Sequence, residues 1–186
     1  AYRSGIINIG AEGQFILGGL GGGYIALELM DAEGFWVLPL VLFFGALSGL
    51  LWGALTALLK TRFGANEILT TIMLNYVAIN MTDYFADGPF KDTSNGNIVA
   101  RTPEILDSAR IPSIGEIPVG FLLAVLAAII VWWLLWCTTL GFEIRTVGLS
   151  PHAAKYAGMK VAATVILTMV ISGILAGVGG ACYPAR

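Results

Sequence analysis

Polar side chains interrupt the long apolar stretches of this sequence at a few positions, where they need hydrogen-bond partners. Asn8, Glu12 and Gln14 fall inside the first stretch, which runs from Gly5 to Leu29. An amide or carboxylate among apolar neighbours needs a hydrogen-bond partner, because burying it unpaired costs about 2 kcal/mol or more. The spacing of four from Asn8 to Glu12 predicts that both lie on one helical face that points to a polar interior.

A second polar stripe consists of Glu67, Thr71 and Asn75, which are spaced four residues apart. Residues at this spacing share one face of a helix, so we expect this stripe to meet the first polar face across the interior. Two roles are open for both faces: the side chains hydrogen-bond neighbouring helices, or they line a path for a polar solute. For Glu67, solvation at the nearby helix end is a third explanation.

Composition indicates which elements carry these residues. Hydrophobic residues make up 57% of the 186 residues and charged residues only 12%, whereas a soluble domain has about 25% charged residues. A helix needs about 20 mostly apolar residues to cross a bilayer. Five stretches qualify: Gly5–Leu29, Val37–Leu59, Gly64–Phe85, Ile117–Phe142 and Val161–Ala185. The sequence therefore predicts an all-α, polytopic transmembrane helical bundle of about five spans in a single domain, 1–186.

The orientation of these spans follows from the basic residues in their connections, because cytoplasmic flanks hold an excess of Lys and Arg. One side collects Arg3, Lys60, Arg62, Arg145, Lys155 and Lys160. The other side has fewer basic residues in a longer, acidic connection at 86–116. We therefore expect an extracytoplasmic loop at 86–116 and a cytoplasmic loop at 141–160. Trp132, Trp133 and Trp136 are then interfacial anchors at the inner end of the fourth span.

Glycines spaced four residues apart predict how the helices pack. Lipid supplies no hydrophobic drive between helices, so association depends on close approach of backbones at small residues. Such faces occur in three stretches, at Gly18, Gly19, Gly22 and Gly23, at Gly45, Gly49 and Gly53, and at Gly173 and Gly177. The glycine run 18–23 could also break the first helix, because glycine costs about 1 kcal/mol relative to alanine inside a helix.

Several classes of function lack support in the residues. Cys137, Cys182 and the single His152 do not have the spacing of a metal site, and no catalytic constellation is evident. No lysine follows a glycine, so a phosphate-binding GxxxxGK[ST] loop is missing and we expect no ATP to bind to this chain itself. A net charge of −2 with sparse basic residues argues against a nucleic-acid partner.

Three sequence segments resemble one known family. They read GIINIGAEGQ at 5–14, NEILTTIMLNY at 66–76 and SGILAG at 172–177. In this order they are similar to the permease subunits of nucleoside and simple-sugar ABC importers, within the superfamily of branched-chain amino-acid and ribose permeases. Members of that family have further transmembrane helices at both ends. The resemblance thus implies that this chain is an internal, incomplete piece of a bacterial protein of the cytoplasmic membrane.

The resemblance also implies roles and partners. In the loop at 141–160, Ala153, Ala154 and Gly158 look like the family's coupling helix, which seats in a cytoplasmic ABC ATPase; from the residues alone, an ordinary amphipathic loop is the alternative. The implied assembly has two permease subunits, two ATPases that bind the ATP, and an extracellular substrate-binding lipoprotein. Asn8, Glu12, Gln14, Glu67, Thr71 and Asn75 would then line the path of a nucleoside or sugar. The chain itself would not be an enzyme and would need no cofactor.

The residues alone leave two other functions open. A secondary transporter or channel would use Glu12 to carry a coupling proton or ion. A non-transporting membrane scaffold would use the polar groups only for helix packing. Dependence of uptake on ATP hydrolysis or on the proton gradient separates these alternatives.

Overall fold

The computed structural model describes residues 1–29, 36–88, 113–114 and 117–182, and they are almost entirely helical. A short 3-10 turn at Tyr2–Ser4 precedes the first helix. The helices are α1 Ala11–Glu28, α2 Val37–Phe63, α3 Glu67–Asp87, α4 Val119–Cys137, α5 Thr139–Leu149, α6 Pro151–Tyr156 and α7 Val161–Cys182. A two-stranded antiparallel hairpin, β1 Ser113–Ile114 and β2 Ile117–Pro118, pairs Ile114 with Ile117.

The helices α1, α2 and α7 form the core of the bundle. The structure confirms the predicted close approach of their glycines. A Cβ at Gly49 would collide with the carbonyl oxygen of Gly173, and one at Gly18 would collide with the backbone of Gly177. Gly23, by contrast, has no other group within 4 Å of the position of a Cβ. The glycine run at 18–23, which could have broken the first helix, does not do so, because α1 is continuous to Glu28.

Three of the five predicted spans satisfy the length and composition of a membrane-crossing helix within the described residues, namely α2, α4 and α7. Their lengths of 27, 19 and 22 residues correspond to about 40, 28 and 33 Å. Helices α1 and α3 are less apolar, and α1 packs against α2, α3 and α7. The polytopic helical bundle is therefore confirmed, and the crossing of the membrane by α1 and α3 stays a prediction.

Capping residues explain why some helices begin or end where the hydropathy pattern did not predict it. The fourth helix was expected to reach Phe142, but α4 ends at Cys137 because Thr138 is extended and its Oγ1 accepts a hydrogen bond from the Gly141 N–H at 3.1 Å. Likewise, Ser150 caps α6, with Pro151 at the first helical position. The predicted loop at 141–160 is thus a pair of short helices.

Helix α4 stands apart from the core. None of its residues is buried, and it touches α7 only lightly while it adjoins α5. Helix α5 packs within the chain through Ile144 and Val147, each 2% exposed. Most of the predicted loop at 86–116 lies outside the described residues. Of its ends, Ala86 and Asp87 belong to α3, and the hairpin strands follow at 113–114 and 117–118.

Candidate functional site

The start of α1 is fixed by a side chain that precedes it. Asn8 accepts a hydrogen bond from the Gly10 N–H at 3.1 Å through Oδ1, and α1 begins at Ala11. Asn8 is therefore outside the helix, and the prediction that it shares a helical face with Glu12 is wrong. Asn8 closes a local turn immediately before the helix, a common behaviour of asparagine.

The freed amide of Asn8 points to other elements. Its Nδ2 donates to Gln14 Oε1 at 3.1 Å and to Ser172 Oγ at 2.9 Å. Gln14 has 0% exposed surface, although its side chain is polar. Asn8 thereby connects the beginning of α1 to the middle of α7, a link that the sequence did not predict.

Asn75 of α3 holds the same region from the other side. Its Oδ1 accepts from the Gly13 N–H at 3.0 Å, and its Nδ2 donates to the Ile9 carbonyl at 3.1 Å. One turn earlier, Thr71 is 0% exposed and packs against Gly10. The expected meeting of the two polar faces is confirmed for Thr71 and Asn75. Asn75 bonds to the backbone at the start of α1 and not to Glu12, whereas the Thr71 hydroxyl donates to the Glu67 and Ile68 carbonyls of its own helix.

These groups form a compact cluster that we call the polar junction, defined by the side chains of Asn8, Gln14, Trp52, Thr71, Asn75 and Ser172. Trp52 enters it from α2, since a Cβ at Gly13 would lie 3.2 Å from Trp52 Nε1 and 2.8 Å from Asn75 Oδ1. Trp52 and Ser172 escaped the sequence prediction. Trp52 lies in a stretch with no charged residue, and Ser172 was noticed only as part of the SGILAG segment.

Two donors of the polar junction have no hydrogen-bond partner among the described residues, Gln14 Nε2 and Trp52 Nε1. A buried donor without a partner costs about 1 to 3 kcal/mol. Native structures tolerate such groups mainly where a ligand or a water completes them. The two donors of the polar junction can therefore bind an oxygen or nitrogen acceptor of an uncharged polar molecule.

The two carboxylates proposed for the same site lie elsewhere. Glu12 is exposed in the first turn of α1, a position where a negative charge is stabilised by the helix dipole. Glu67 pairs with Lys60 across the α2–α3 connection, with 2.7 Å between Oε1 and Nζ. Both groups of this pair are about a quarter exposed, at 24% and 25%. In the described residues, the polar junction is thus made of neutral groups.

The predicted coupling residues occupy different environments on α6 and just after it. Ala153 is exposed, whereas Ala154 is 0% exposed and packs within the chain. Gly158 has a φ of +81° and no other group near the position of a Cβ. Leu149 and Tyr156 beside them are 89% and 94% exposed. Among the described residues, no group of three His, Cys, Asp or Glu side chains could hold a metal ion.

Comparison with known proteins places this geometry in context. Residues 1–186 match the family described as the permease component of the branched-chain amino acid transport system. The chain is 36% identical over 189 residues to the guanosine ABC transporter permease protein NupP of Bacillus subtilis (strain 168), and the match covers 97% of this chain and 53% of that protein. No solved structure matches the chain.

Two further relatives have similar coverage. The nucleoside ABC transporter permease protein NupB of Lactococcus lactis is 33% identical over 192 residues, which are 98% of this chain and 53% of that protein. A glucose ABC transporter permease protein of Haloferax volcanii is 30% identical over 189 residues, covering 96% of this chain and 50% of that protein. The chain thus spans about half the length of the curated relatives it matches.

Proposed function

Because the chain belongs to the family of branched-chain amino acid transport system permease components, we propose that it forms part of the membrane-spanning permease of an ATP-driven importer for nucleosides or simple sugars. It is a multi-pass protein of the cytoplasmic membrane, as its permease relatives and its three apolar helices indicate. The substrate class is supported by relatives whose names specify guanosine, nucleosides and glucose.

The polar junction is the observation that supports this function best. It gathers neutral amides and hydroxyls from α3, α7 and the start of α1, and its Gln14 and Trp52 donors have no partner in the described part of the chain. Nucleosides and sugars are uncharged at neutral pH and rich in oxygen acceptors, which suits these donors. A proton- or ion-coupled transporter would need an ionisable group here, and Glu12 is exposed instead. We therefore assign Asn8, Gln14, Thr71 and Asn75 to the substrate path.

A separate ATPase would drive transport, so this chain would not hydrolyse ATP itself. The exposed surface of Leu149, Ala153 and Tyr156 supports docking of such a partner at the α5–α6 segment. Ala154 is buried within the chain and is unsuited to a direct contact. Closure of the ATPases around ATP would then move α6 and switch the access of the polar junction. A second permease subunit and a substrate-binding lipoprotein would complete the assembly.

An uptake assay tests the proposal. The full-length permease, its ATPase and its binding protein are expressed in cells without their own nucleoside and sugar uptake, and labelled guanosine, uridine and glucose are supplied. We expect uptake of at least one substrate to survive a proton uncoupler and to disappear with an ATPase that cannot hydrolyse ATP. Uptake that follows the proton gradient and ignores the ATPase would instead identify a secondary transporter. Failure of all three substrates would refute the substrate class.

A further inference from the structure

Two arginines share one tryptophan ring at the basic end of the bundle. The guanidinium carbon of Arg145 lies 4.5 Å from the centroid of the Trp136 ring, and that of Arg3 lies 5.8 Å from it. Both distances are within the range of cation–π attraction. Within the described part of the chain, no carboxylate pairs with either arginine, because the salt bridge found there joins Lys60 and Glu67. Two neighbouring positive charges thus have no counter-charge among the described residues.

Open space adjoins this pair on both sides. A cavity of about 460 Å³ lies between the amino-terminal segment and α5, where Arg3 and Arg145 both line it together with Tyr2 and Gly148. A groove of about 430 Å³ runs between α4 and α7, and its walls are apolar apart from Arg3. Trp132, Leu135 and Leu175 belong to those walls. A cavity that contains both arginines and an apolar groove therefore meet at Arg3.

The position of this site along the bundle specifies the medium around it. Trp132 and Trp136 are 60% and 50% exposed on α4, a helix with no buried residue. Tryptophans in such a setting lie at the level of the lipid headgroups. Arg3 and Arg145 belong to the basic side of the chain, which predicts the cytoplasmic leaflet. That leaflet carries anionic lipids, and basic pockets between helices on this side bind their headgroups.

We propose that this site binds one anionic phospholipid, with its phosphate between Arg3 and Arg145 and an acyl chain along the groove of α4 and α7. Guanidinium groups match the geometry of a phosphate with paired hydrogen bonds. The apolar groove distinguishes a lipid from free phosphate, which would use the cavity of the two arginines alone. A lipid in this place would also connect α4, which has little contact with the core, to α7. This assignment does not depend on the transported substrate.

The test uses the full-length protein in mild detergent after removal of native lipid. Binding of phosphatidylglycerol, phosphatidylcholine with the same chains, and inorganic phosphate is measured by native mass spectrometry. We expect phosphatidylglycerol to bind about tenfold more tightly than phosphatidylcholine. The double variant Arg3→Gln/Arg145→Gln should lose most of this preference. The matched control Arg62→Gln/Lys160→Gln removes the same charge from two exposed residues at the same end and should keep the preference.

A second measurement needs no substitution, in case the double variant fails to fold. Phospholipids with brominated acyl chains quench nearby tryptophans, and the anionic form should quench the unaltered protein more strongly than the choline form. Three results would overturn the proposal. These are equal binding of the two lipids, an equal loss of preference in both double variants, and displacement of the anionic lipid by millimolar inorganic phosphate. If another segment of the longer chain covers the site, the two lipids would bind equally.

Discussion

Asn75 connects α3 to the segment around the start of α1, because it bonds to that segment through both ends of its amide. Its oxygen accepts from Gly13 and its nitrogen donates to Ile9, and both bonds are largely shielded from solvent. Asn80 lies on the same helix but is exposed, and among the described residues its side chain bonds only to the Tyr76 carbonyl one turn earlier. Asn75 therefore makes long-range hydrogen bonds outside its own helix, whereas Asn80 makes a local one within α3.

Replacement of Asn75 by leucine should destabilise the fold. The variant keeps the size of the side chain but leaves the Gly13 N–H and the Ile9 carbonyl unpaired, at a cost of about 1 to 3 kcal/mol for each group. We expect the free energy of unfolding to fall by about 2 to 6 kcal/mol, measured by denaturing-detergent titration in mixed micelles. Asn80→Leu is the control and should change it by less than about 0.5 kcal/mol. Equal effects of the two would contradict the bridging role.

At the scale of the helices, the glycine contacts of α2 and α7 decide how closely the core packs. A Cβ at Gly49 would meet the backbone of both Gly173 and Gly177, whereas one at Gly23 would meet nothing. Backbone contacts cannot move aside as a flexible side chain can. The same change, glycine to alanine, should therefore have opposite consequences at the two positions.

Gly49→Ala should separate α2 from α7 and lower the free energy of unfolding by about 1 to 3 kcal/mol. Gly23→Ala should be neutral or raise it by up to about 1 kcal/mol, because alanine has the higher helix propensity. Denaturing-detergent titration of both variants checks the pair. If Gly49→Ala were as stable as the unaltered protein, the tight contact of these two helices would be refuted.

The neighbouring alanines of α6 provide a second pair with opposite exposure. Glutamate at the exposed Ala153 should leave folding intact and reduce the stimulation of the partner ATPase by about tenfold, which corresponds to about 1.4 kcal/mol of docking energy. Glutamate at Ala154, which is 0% exposed, should impair folding itself by burying a charge. Yield of folded protein and ATPase turnover in the full assembly separate the two effects.

Unimpaired coupling in the Ala153→Glu variant would refute docking at this surface. Leucine at Gly158 is a poorer probe of docking. The left-handed φ of +81° at that glycine costs a residue with a Cβ about 1 to 2 kcal/mol whether or not a partner binds there.

For the whole molecule, the membrane topology is the property that the bundle and the charge pattern determine together. Five crossings would place the α2–α3 connection and the α5–α6 segment in the cytoplasm and the loop at 86–116 outside. In a variant without Cys137 and Cys182, we expect Ser94→Cys to react with an impermeant thiol reagent in intact cells. Lys155→Cys should react only after the membrane is permeabilised. Labelling of Lys155→Cys in intact cells would show that the protein has the opposite orientation in the membrane.

The sequence determined the properties that depend on local pattern. Apolar runs specify membrane helices, residues spaced four apart share a face, and glycines at that spacing mark close contacts. The buried face of α3 at Thr71 and Asn75 and the close contact at Gly49 were therefore predicted correctly, and even the missed end of α4 at Cys137 depended on a local cap, Thr138. The family resemblance could be read from segments of the chain for the same reason, since each is a continuous string of residues.

The tertiary structure alone decided which groups meet. Asn8 and Ser172 are 164 residues apart in sequence, and their hydrogen bond exists only because α1 and α7 approach each other through glycines. The start of α1 at Ala11 turns Glu12 outward, although spacing from Asn8 had placed it inside. Periodicity specifies a face once the helix is known. It specifies neither the residue at which a helix begins nor the neighbour that the face meets, because both depend on contacts between distant parts of the chain.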